Sequence, residues 1–397
     1  MMSGKTIICL STIDWHYARQ RHQILMQKFA QNGNQVIFVE HLGFSRQKLT
    51  DIANIVKRVL RAIKPSIAPV ESDRLIPNLQ IITPLVLPPQ NRLFNFINKY
   101  IILKLLSRKL LRLCDKQPVV WTYLATTTAV NLVKKLSPQT LIYDCVYDAL
   151  RHPEAPWNIA ATEHELLTMA DVVITDAKYF YNQKKKFNDN VHQIPPGVDF
   201  EHFNQTDALA KGTMKEIKQP RICFFGCMGK EKIRIDLGLL EFIASKKPEW
   251  SIVNIGPVVD MEIPANLLRL ENIKWLGFIP YSELPKYLGE CDVLILPYQL
   301  NEFTESVLPA KVFECLATGK PAVSTALPEL KPYRDFFTIA ENKEEFISGI
   351  ERAIANDSEE EKQKRLAFAK ANTWGERFKS VCEILAINSN TNKENIL

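Results

Sequence analysis

The chain has 397 residues, 46% of them hydrophobic and 24% charged, and these proportions exclude a disordered or low-complexity protein. No apolar run approaches the roughly 20 residues that a membrane-spanning helix needs, and the first residues lack the apolar core of a signal peptide. We therefore expect two folded domains in the cytoplasm. The formal charge of +6 is uneven, since residues 1–200 hold 25 Lys and Arg against 15 Asp and Glu. This excess suggests that the first half faces an anionic partner, either nucleic acid or an acidic membrane surface, and ordinary solvated lysines are the alternative.

In the first half, short runs rich in β-branched residues alternate with helical stretches. The predicted strands are 6–11, 35–40, 78–83, 118–123, 140–145, 171–176 and 191–195. The first two strands and the helix between them form a βαβ unit, which implies a parallel sheet with a right-handed crossover. We predict a Rossmann-like domain over residues 1–200.

The alternation stops at residues 201–220, a polar segment with Gly and Pro that we interpret as a linker. It resumes with predicted strands at 221–226, 251–256, 272–277, 292–298 and 321–325, which indicate a second doubly wound domain over residues 221–372. The amphipathic stretch 373–397 follows and could pack back on the first domain. The predicted fold class is α/β, with two doubly wound Rossmann-like domains facing a cleft, and ligands are expected where strands end.

The eight cysteines lie mostly inside apolar segments. They form no CxxC pair and no His/Cys cluster at zinc spacing, so we expect reduced core residues.

The first loop of the second domain, ICFFGCMGKEKIRID, combines glycine with cations. Gly226 follows a strand, and Lys232 and Arg234 precede a helix, an arrangement that suits a diphosphate. An ordinary tight turn with exposed cations remains the alternative. The segment has neither GxGxxG nor GxxxxGK[ST], which excludes the dinucleotide and P-loop signatures.

Two further strands of this domain end in glycine, at Gly256 and Gly277. Such positions let a ligand approach the backbone, and Phe278 would offer an apolar edge to a flat base. Simple turns remain the alternative for both.

A short apolar helix is predicted after the strand DVLILPY, between Pro309 and Gly319. Lys311 and Glu314 share one face at i and i+3. The lysine would meet phosphate, and the carboxylate would accept both hydroxyls of a ribose. The alternative is a surface ion pair, which would contribute at most about 1 kcal/mol.

The pattern P-x-K-x-x-E-x-L-A-x-G-K-P-x-V at residues 309–323 resembles the donor-binding helix of bacterial GT-B fold glycosyltransferases. Further segments extend the resemblance, in chain order, over roughly 370 residues: STIDW with RQRH near the start, YDCVYDAL, ADVVITDA, PPGVDFEHF and WLGFIPYSELPKYLGECDVLILPY. It implies a sugar transferred from a UDP- or GDP-sugar in the second domain to an acceptor in the first. By similarity, Glu314 binds the ribose, Lys311 and Arg234 bind the diphosphate, and the three strand-end glycines enclose the nucleotide.

Two positions depart from this pattern. Retaining relatives often carry a second glutamate eight residues before Glu314, where this chain has Ser306, with Glu305 one place away. The glycine-rich loop after the first strand is replaced by STIDW. In that loop Asp14 and a stacking Trp15, with Arg21 nearby, are the candidate acceptor-binding residues.

The candidate catalytic residues are Asp144, Asp148 and His152, which lie at or beyond the end of a first-domain strand. One of the two aspartates could orient or deprotonate an acceptor hydroxyl, and helix capping is the alternative role for both. No metal site is implied, since no DxD motif stands in a suitable loop. Electrostatics can instead stabilise the diphosphate leaving group.

Two basic, apolar stretches, at 55–64 and 92–114, could lie along an anionic bilayer. The alternative is that they cover the sheet and solvate their charges, and we favour it for the second stretch. No nucleic-acid-binding motif is present.

The sequence thus predicts a retaining, hexosyltransferase-like enzyme that builds a cell-surface polysaccharide or glycolipid precursor. Its acceptor would be a glycan or polyprenyl-linked, and the enzyme would be cytoplasmic or peripheral on the inner face of the membrane. Another GT-B enzyme, such as a sugar-nucleotide epimerase, and a catalytically silent nucleotide-sugar-binding protein are the alternatives.

Overall fold

The computed structural model describes residues 3–16, 19–40, 42, 76–87, 92–151, 155–229, 235–259 and 261–394. The chain divides into two compact units, one of residues 1–195 with 377–397 and one of residues 196–376. Within the described ranges, no helix is both long and apolar enough to cross a bilayer.

The first unit contains a parallel sheet whose central strands are almost wholly buried. Its strands are β1 (Thr6–Leu10), β2 (Gln35–Val39), β3 (Leu79–Ile82), β4 (Val119–Thr122), β5 (Thr140–Cys145), β6 (Val172–Thr175) and β7 (Val191–Gln193). Their order is β3-β2-β1-β4-β5-β6-β7, so the direction of winding reverses between β1 and β4. The seven predicted strands of this half are confirmed.

Helices connect these strands. They are α1 (Arg21–Gln31), α2 (Arg92–Ile97), a π-helical segment (Asn98–Ile102), α3 (Leu103–Arg112), α4 (Thr127–Leu136), α5 (Ile159–Met169) and α6 (Lys178–Lys184). α4 begins where the Thr126 hydroxyl accepts a hydrogen bond from the Ala129 N–H, a typical N-cap. The basic stretch predicted at 55–64 lies outside the described residues.

The second unit has its own parallel sheet. Its strands are β8 (Arg221–Phe225), β9 (Met228–Gly229), β10 (Ser251–Ile255), β11 (Val258–Val259), β12 (Ile273–Gly277), β13 (Val293–Leu296), β14 (Ala322–Thr325) and β15 (Thr338–Ala340). The main sheet runs β12-β10-β8-β13-β14-β15, and β9 pairs with β11 separately. The predicted second doubly wound sheet is confirmed, with winding reversed between β8 and β13.

The helices of this unit follow the same alternation. They are α7 (Phe200–Phe203), α8 (Thr206–Leu209), α9 (Leu237–Lys246), α10 (Ala265–Leu268), α11 (Leu284–Gly289), α12 (Lys311–Ala317), α13 (Lys343–Asn356), α14 (Glu359–Ala371) and α15 (Trp374–Glu394). The segment interpreted as a linker carries α8 and packs on this unit, since the Thr206 hydroxyl donates to the Thr318 carbonyl and Met214 is buried. These contacts explain why residues 196–220 group with the second unit.

Most of α15 groups with the first unit. The ring of Phe378 packs edge-on against Phe29 of α1, with centroids 4.8 Å apart. Val381 and Leu385 are buried along the same helix. Burial of this apolar face therefore ties the last helix to the first unit.

The expectation of reduced cysteines is wrong for one pair. Cys223 of β8 and Cys291, just before β13, form a disulfide with Cα atoms 6.0 Å apart. The sequence separation hid this pair, which becomes adjacent only because β8 and β13 are neighbours in the sheet.

Candidate functional site

The three predicted glycines lie together at the carboxyl edge of the second sheet. Gly226, Gly256 and Gly277 end the neighbouring strands β8, β10 and β12. The Gly226 N–H donates to the Ile255 carbonyl, and the Gly256 N–H donates to the Gly277 carbonyl, each at 2.8 Å. All three glycines have positive φ, and a Cβ on Gly256 would lie 2.0 Å from the Gly226 oxygen. The edge is therefore backbone packed on backbone, with no room for a side chain at Gly256.

Lys311 lies against this glycine edge from the opposite side of the winding reversal. A Cβ built on Gly226 would stand 2.5 Å from Lys311 Cε, so these two residues are in close contact. The Lys311 ammonium also lies over the Phe225 ring, 4.7 Å from its centroid. The winding of the sheet reverses between β8 and β13. In open α/β sheets, ligands bind beside the loops that follow such a pair of strands.

Helix α12 presents only two side chains that are not buried, Lys311 and Glu314. The helix is shorter than predicted, and Pro309 precedes its cap residue Ala310 instead of lying in the first turn. Gly319 follows the helix with φ of +73°, as predicted for a glycine that ends a helix. Burial of the remaining side chains anchors α12 and orients its polar pair.

The Lys311 and Glu314 side chains form an ion pair at 3.4 Å, and each keeps about a quarter of its surface exposed. Burial alone would lower the pKa of Lys311, but the nearby Glu314 and Tyr298 raise it above its ordinary value. The lysine is therefore a cation at physiological pH. Both groups remain reachable by a polar ligand, which a fully buried pair would not be.

Phe278 follows Gly277 and is 70% exposed, so an apolar ring stands free beside the glycine edge. Lys232 and Arg234, the predicted cations of the first loop, lie outside the described residues. Sequence reasoning missed Phe225 and Tyr298 as neighbours of Lys311. Their positions could have indicated them, because Phe225 is the last residue of β8 and Tyr298 follows the end of β13.

In the first unit, two predicted site residues bind each other. The Arg21 Nε donates to Asp144 Oδ2 at 2.9 Å, and its Nη1 donates to the Ile194 carbonyl at 2.8 Å. Asp144 is fully buried and Arg21 nearly so. Burial raises the pKa of Asp144 above its ordinary value, even though Arg21 lies beside it. Neither group can reach a substrate from this position, so the roles of base and acceptor ligand do not suit them.

Burial also decides the outcome for Trp15 and describes the position of Asp14, the two other predicted acceptor-binding residues. Trp15 is buried, its ring packs edge-on against Phe38 with centroids 5.0 Å apart, and its backbone N–H donates to Glu40 Oε1. It is thus a core residue and not an exposed stacking platform. Asp14, at the neighbouring position, is only partly buried, and its carbonyl accepts a hydrogen bond from the Gln23 side chain.

Asp148 caps a turn, which is the alternative role considered for it. Its Oδ1 accepts hydrogen bonds from the N–H groups of Leu150 and Arg151, both at 3.1 Å. The other oxygen lies 3.5 Å from the Arg151 guanidinium. His152 lies outside the described residues.

The described residues hold no group of three or more His, Cys, Asp or Glu side chains placed to bind a metal ion. The expectation of metal-independent chemistry stays a prediction.

The chain is similar to known proteins in sequence and in structure. Residues 219–356 match the family model of the group 1 glycosyl transferases. Over 241 residues the chain is 27% identical to the putative teichuronic acid biosynthesis glycosyltransferase TuaH of Bacillus subtilis. That match covers 58% of this chain, and the chain spans 60% of the length of that curated relative.

Solved structures resemble the whole chain. Sucrose-phosphate synthase from Thermosynechococcus elongatus has a TM-score of 0.69 at 12% identity, covering 98% of this chain and 100% of that one. Anabaena HepE in complex with UDP and glucose has a TM-score of 0.65 at 11% identity, covering 96% and 99%. The E. coli trehalose-6-phosphate structure bound with UDP-2-fluoro glucose has a TM-score of 0.67 at 11% identity, covering 97% and 99%. At these identities the likeness shows the fold, which is GT-B.

Proposed function

We propose that the chain is a glycosyltransferase that moves a sugar from a nucleoside-diphosphate sugar to a cell-surface polysaccharide or glycolipid precursor. The observation that carries this proposal is the Lys311–Glu314 pair held against the glycine edge of the second sheet. The group 1 family match falls on the same unit, and a curated relative is named for teichuronic acid biosynthesis.

The donor would bind with its diphosphate near Lys311 and its ribose near Glu314. A lysine offers phosphate a point charge, and a carboxylate accepts two ribose hydroxyls. The glycine edge lets the nucleotide lie against backbone, with Phe278 beside the base. Lys232 and Arg234 would add charge to the diphosphate. Two of the structural neighbours are in complex with UDP or a UDP-sugar, which favours a uridine donor.

In the reaction, the bond between the anomeric carbon and the diphosphate breaks, and its electron pair leaves with the diphosphate. The acceptor oxygen bonds to the anomeric carbon and gives its proton to a base. Lys311 would stabilise the departing charge, which is electrostatic catalysis that needs no metal. Asp148 and His152 remain the candidate bases, and a retaining, hexosyl-transferring course remains part of the proposal.

The acceptor would be a glycan or polyprenyl-linked sugar held by the first unit, with Asp14 among its contacts. We place the enzyme in the cytoplasm, on the inner face of the cell membrane, because lipid-linked precursors of surface polymers are presented there. The basic first half supports an anionic membrane surface as a partner.

One observation favours a catalytically silent binding protein as the second candidate. Ser306 stands where a retaining relative has a glutamate, and it is buried with its hydroxyl donating to the Phe303 carbonyl. Its side chain offers the sugar no carboxylate. The two candidates share the nucleotide site and differ only in turnover.

The test of the shared site is a thermal-shift series with UDP, GDP and their sugars. A nucleotide at a hundredfold excess over its dissociation constant should stabilise the protein by about 2.7 kcal/mol. Glu314→Gln and Lys311→Met should each weaken binding by roughly tenfold or more, since a hydrogen bond to a charged group is lost.

The matched controls are Glu283→Gln and Lys286→Met, because Glu283 and Lys286 form another i,i+3 ion pair on the same unit. These controls should bind nucleotide like the unaltered protein. A chain that no nucleotide stabilises, or Lys311 and Glu314 variants that bind normally, would contradict the proposal. Incubating the protein with the stabilising sugar nucleotide and a membrane-lipid acceptor then separates the candidates. Transfer to the acceptor supports the enzyme, an epimerised donor indicates another GT-B activity, and no turnover indicates the silent protein.

A further inference from the structure

The segment from α2 to α3 has one face that packs on the first unit. Leu103, Leu106 and Leu110 are buried, and α3 packs against α4. The stretch thus buries one apolar face and keeps its charges in solvent, as the favoured alternative expects, but the contact shown is with helix α4, and its covering of the sheet stays a prediction. The buried face holds only some of the large apolar side chains of the segment, since others are exposed.

The opposite face of the same segment exposes large apolar side chains. Five of them are more than half exposed: Leu93, Phe96, Tyr100, Ile101 and Leu105. The rings of Phe96 and Tyr100 touch, with centroids 4.6 Å apart, so the apolar surface is continuous there. A folded soluble protein seldom leaves such a cluster in water unless it binds something.

Cations surround this apolar face. The exposed basic residues of the segment are Lys99, Lys104, Arg108, Lys109 and Arg112. The sequence has no Asp or Glu between Asp73 and Asp115. Among the described residues, none of these five cations has a carboxylate partner. The face therefore combines apolar bulk with unneutralised positive charge.

The π-helical segment holds the face outward. Asn98 is buried, its Oδ1 accepts from the Leu87 N–H at 3.0 Å, and its Nδ2 donates to the Leu87 carbonyl at 2.8 Å. Tyr100 and Ile101 of the same π-helical segment are both exposed. The anchored Asn98 fixes the rotation of the segment about its axis.

We propose that the exposed face of residues 93–112 docks on an anionic lipid bilayer. The five apolar side chains would enter the boundary between headgroups and acyl chains, and the cations would meet anionic headgroups. A second copy of the chain is a poor fit, because it would bring like charges face to face. The proposal deepens the proposed function, on which it rests only for its purpose, by naming the surface that meets a lipid-linked acceptor.

The test is co-sedimentation of the full chain with vesicles of phosphatidylcholine alone or mixed with phosphatidylglycerol, without donor or acceptor. The chain should bind the anionic vesicles at least tenfold more tightly, and added salt should weaken that binding. Lys104→Glu/Arg108→Glu/Lys109→Glu should abolish the preference for anionic lipid. Leu93→Ser/Phe96→Ser/Leu105→Ser should weaken binding at least tenfold at both salt concentrations.

The matched control is Lys211→Glu/Lys215→Glu/Lys218→Glu, which reverses three exposed lysines of the second unit and should bind like the unaltered chain. Circular dichroism should show all variants folded, since the changed residues are exposed. Failure of the unaltered chain to bind anionic vesicles would overturn the proposal, as would variants that bind like it. A dimer that the serine variant dissociates, without vesicle binding, would assign the face to a second copy. Because nucleotide binding is measured separately, either proposal can fail while the other stands.

Discussion

At the scale of single residues, burial separates the predicted polar residues into two kinds. Lys311 and Glu314 keep part of their surface exposed and can meet a ligand. Arg21 and Asp144 neutralise each other inside the first unit. A buried ion pair contributes little net stability, but losing one partner leaves an uncompensated charge. The Arg21–Asp144 pair is therefore structural.

This role predicts a large loss of stability in Asp144→Asn. The change keeps the shape of the side chain but leaves the Arg21 guanidinium buried without a counter-charge, so the free energy of unfolding should fall by about 3 kcal/mol. Urea unfolding measures it. Asp148→Asn is the control, because an amide oxygen still caps the turn, and it should cost less than about 1 kcal/mol. An Asp144→Asn variant that is stable but inactive would instead restore Asp144 as a catalytic residue.

At the scale of elements, the candidate donor site depends on how closely three strand ends approach. The carboxyl edge of β8, β10 and β12 is built from glycines whose backbones contact one another directly. β13 is the neighbour of β8 on its other side, and helix α12 follows β13. Lys311 of α12 fills the space beside Gly226. Because Gly226 has no Cβ, the Lys311 side chain can lie directly against the backbone of this edge.

Gly256→Ala should destabilise the chain more than Gly277→Ala. Both residues have positive φ, which costs a non-glycine residue about 1–2 kcal/mol. Only at Gly256 would the new Cβ meet a backbone oxygen, whereas a Cβ on Gly277 meets nothing within 4 Å. The extra loss at Gly256 should be about 1–3 kcal/mol in urea unfolding, as for an overpacked core. Equal losses would mean that the glycine edge is looser than described.

At the scale of the whole molecule, residues near the start and the end of the second unit pair with each other through a short β-bridge. Val198 pairs with Thr373, and its N–H donates to the Asn372 carbonyl while its own carbonyl accepts from the Trp374 N–H. Gly197 lies against the backbone of Trp374, and a Cβ on Gly197 would be 2.7 Å from the Trp374 nitrogen. Both chain crossings are thus anchored at the same place.

Gly197→Ala should lower the unfolding temperature, because the new Cβ meets backbone that cannot move without breaking this bridge. We expect a loss of about 1–3 kcal/mol, measured by calorimetry. Gly375→Ala is the matched control, since its Cβ would make only ordinary contact with Thr373 and alanine favours a helix. A Gly197→Ala variant as stable as this control would show that the bridge yields easily.

The sequence by itself determined both sheets and pointed to the residues of the candidate donor site. Strands buried on both faces of a parallel sheet must be continuous apolar runs, and such runs are visible without any structure. The glycines at strand ends and the Lys311–Glu314 spacing are equally local. The strands that were missed, β9, β11 and β15, have only two or three residues and leave no such run.

Only the tertiary structure decided which polar residues stay accessible. Arg21 and Asp144 are 123 positions apart and look like site residues until the fold buries them together. Trp15 looks like a stacking platform until Phe38 covers it, and the apolar side chains of residues 93–112 look like core until half of them face water. Burial depends on which distant segments pack together. No local pattern specifies that choice, because the same residue types serve at a core, a site and a membrane surface.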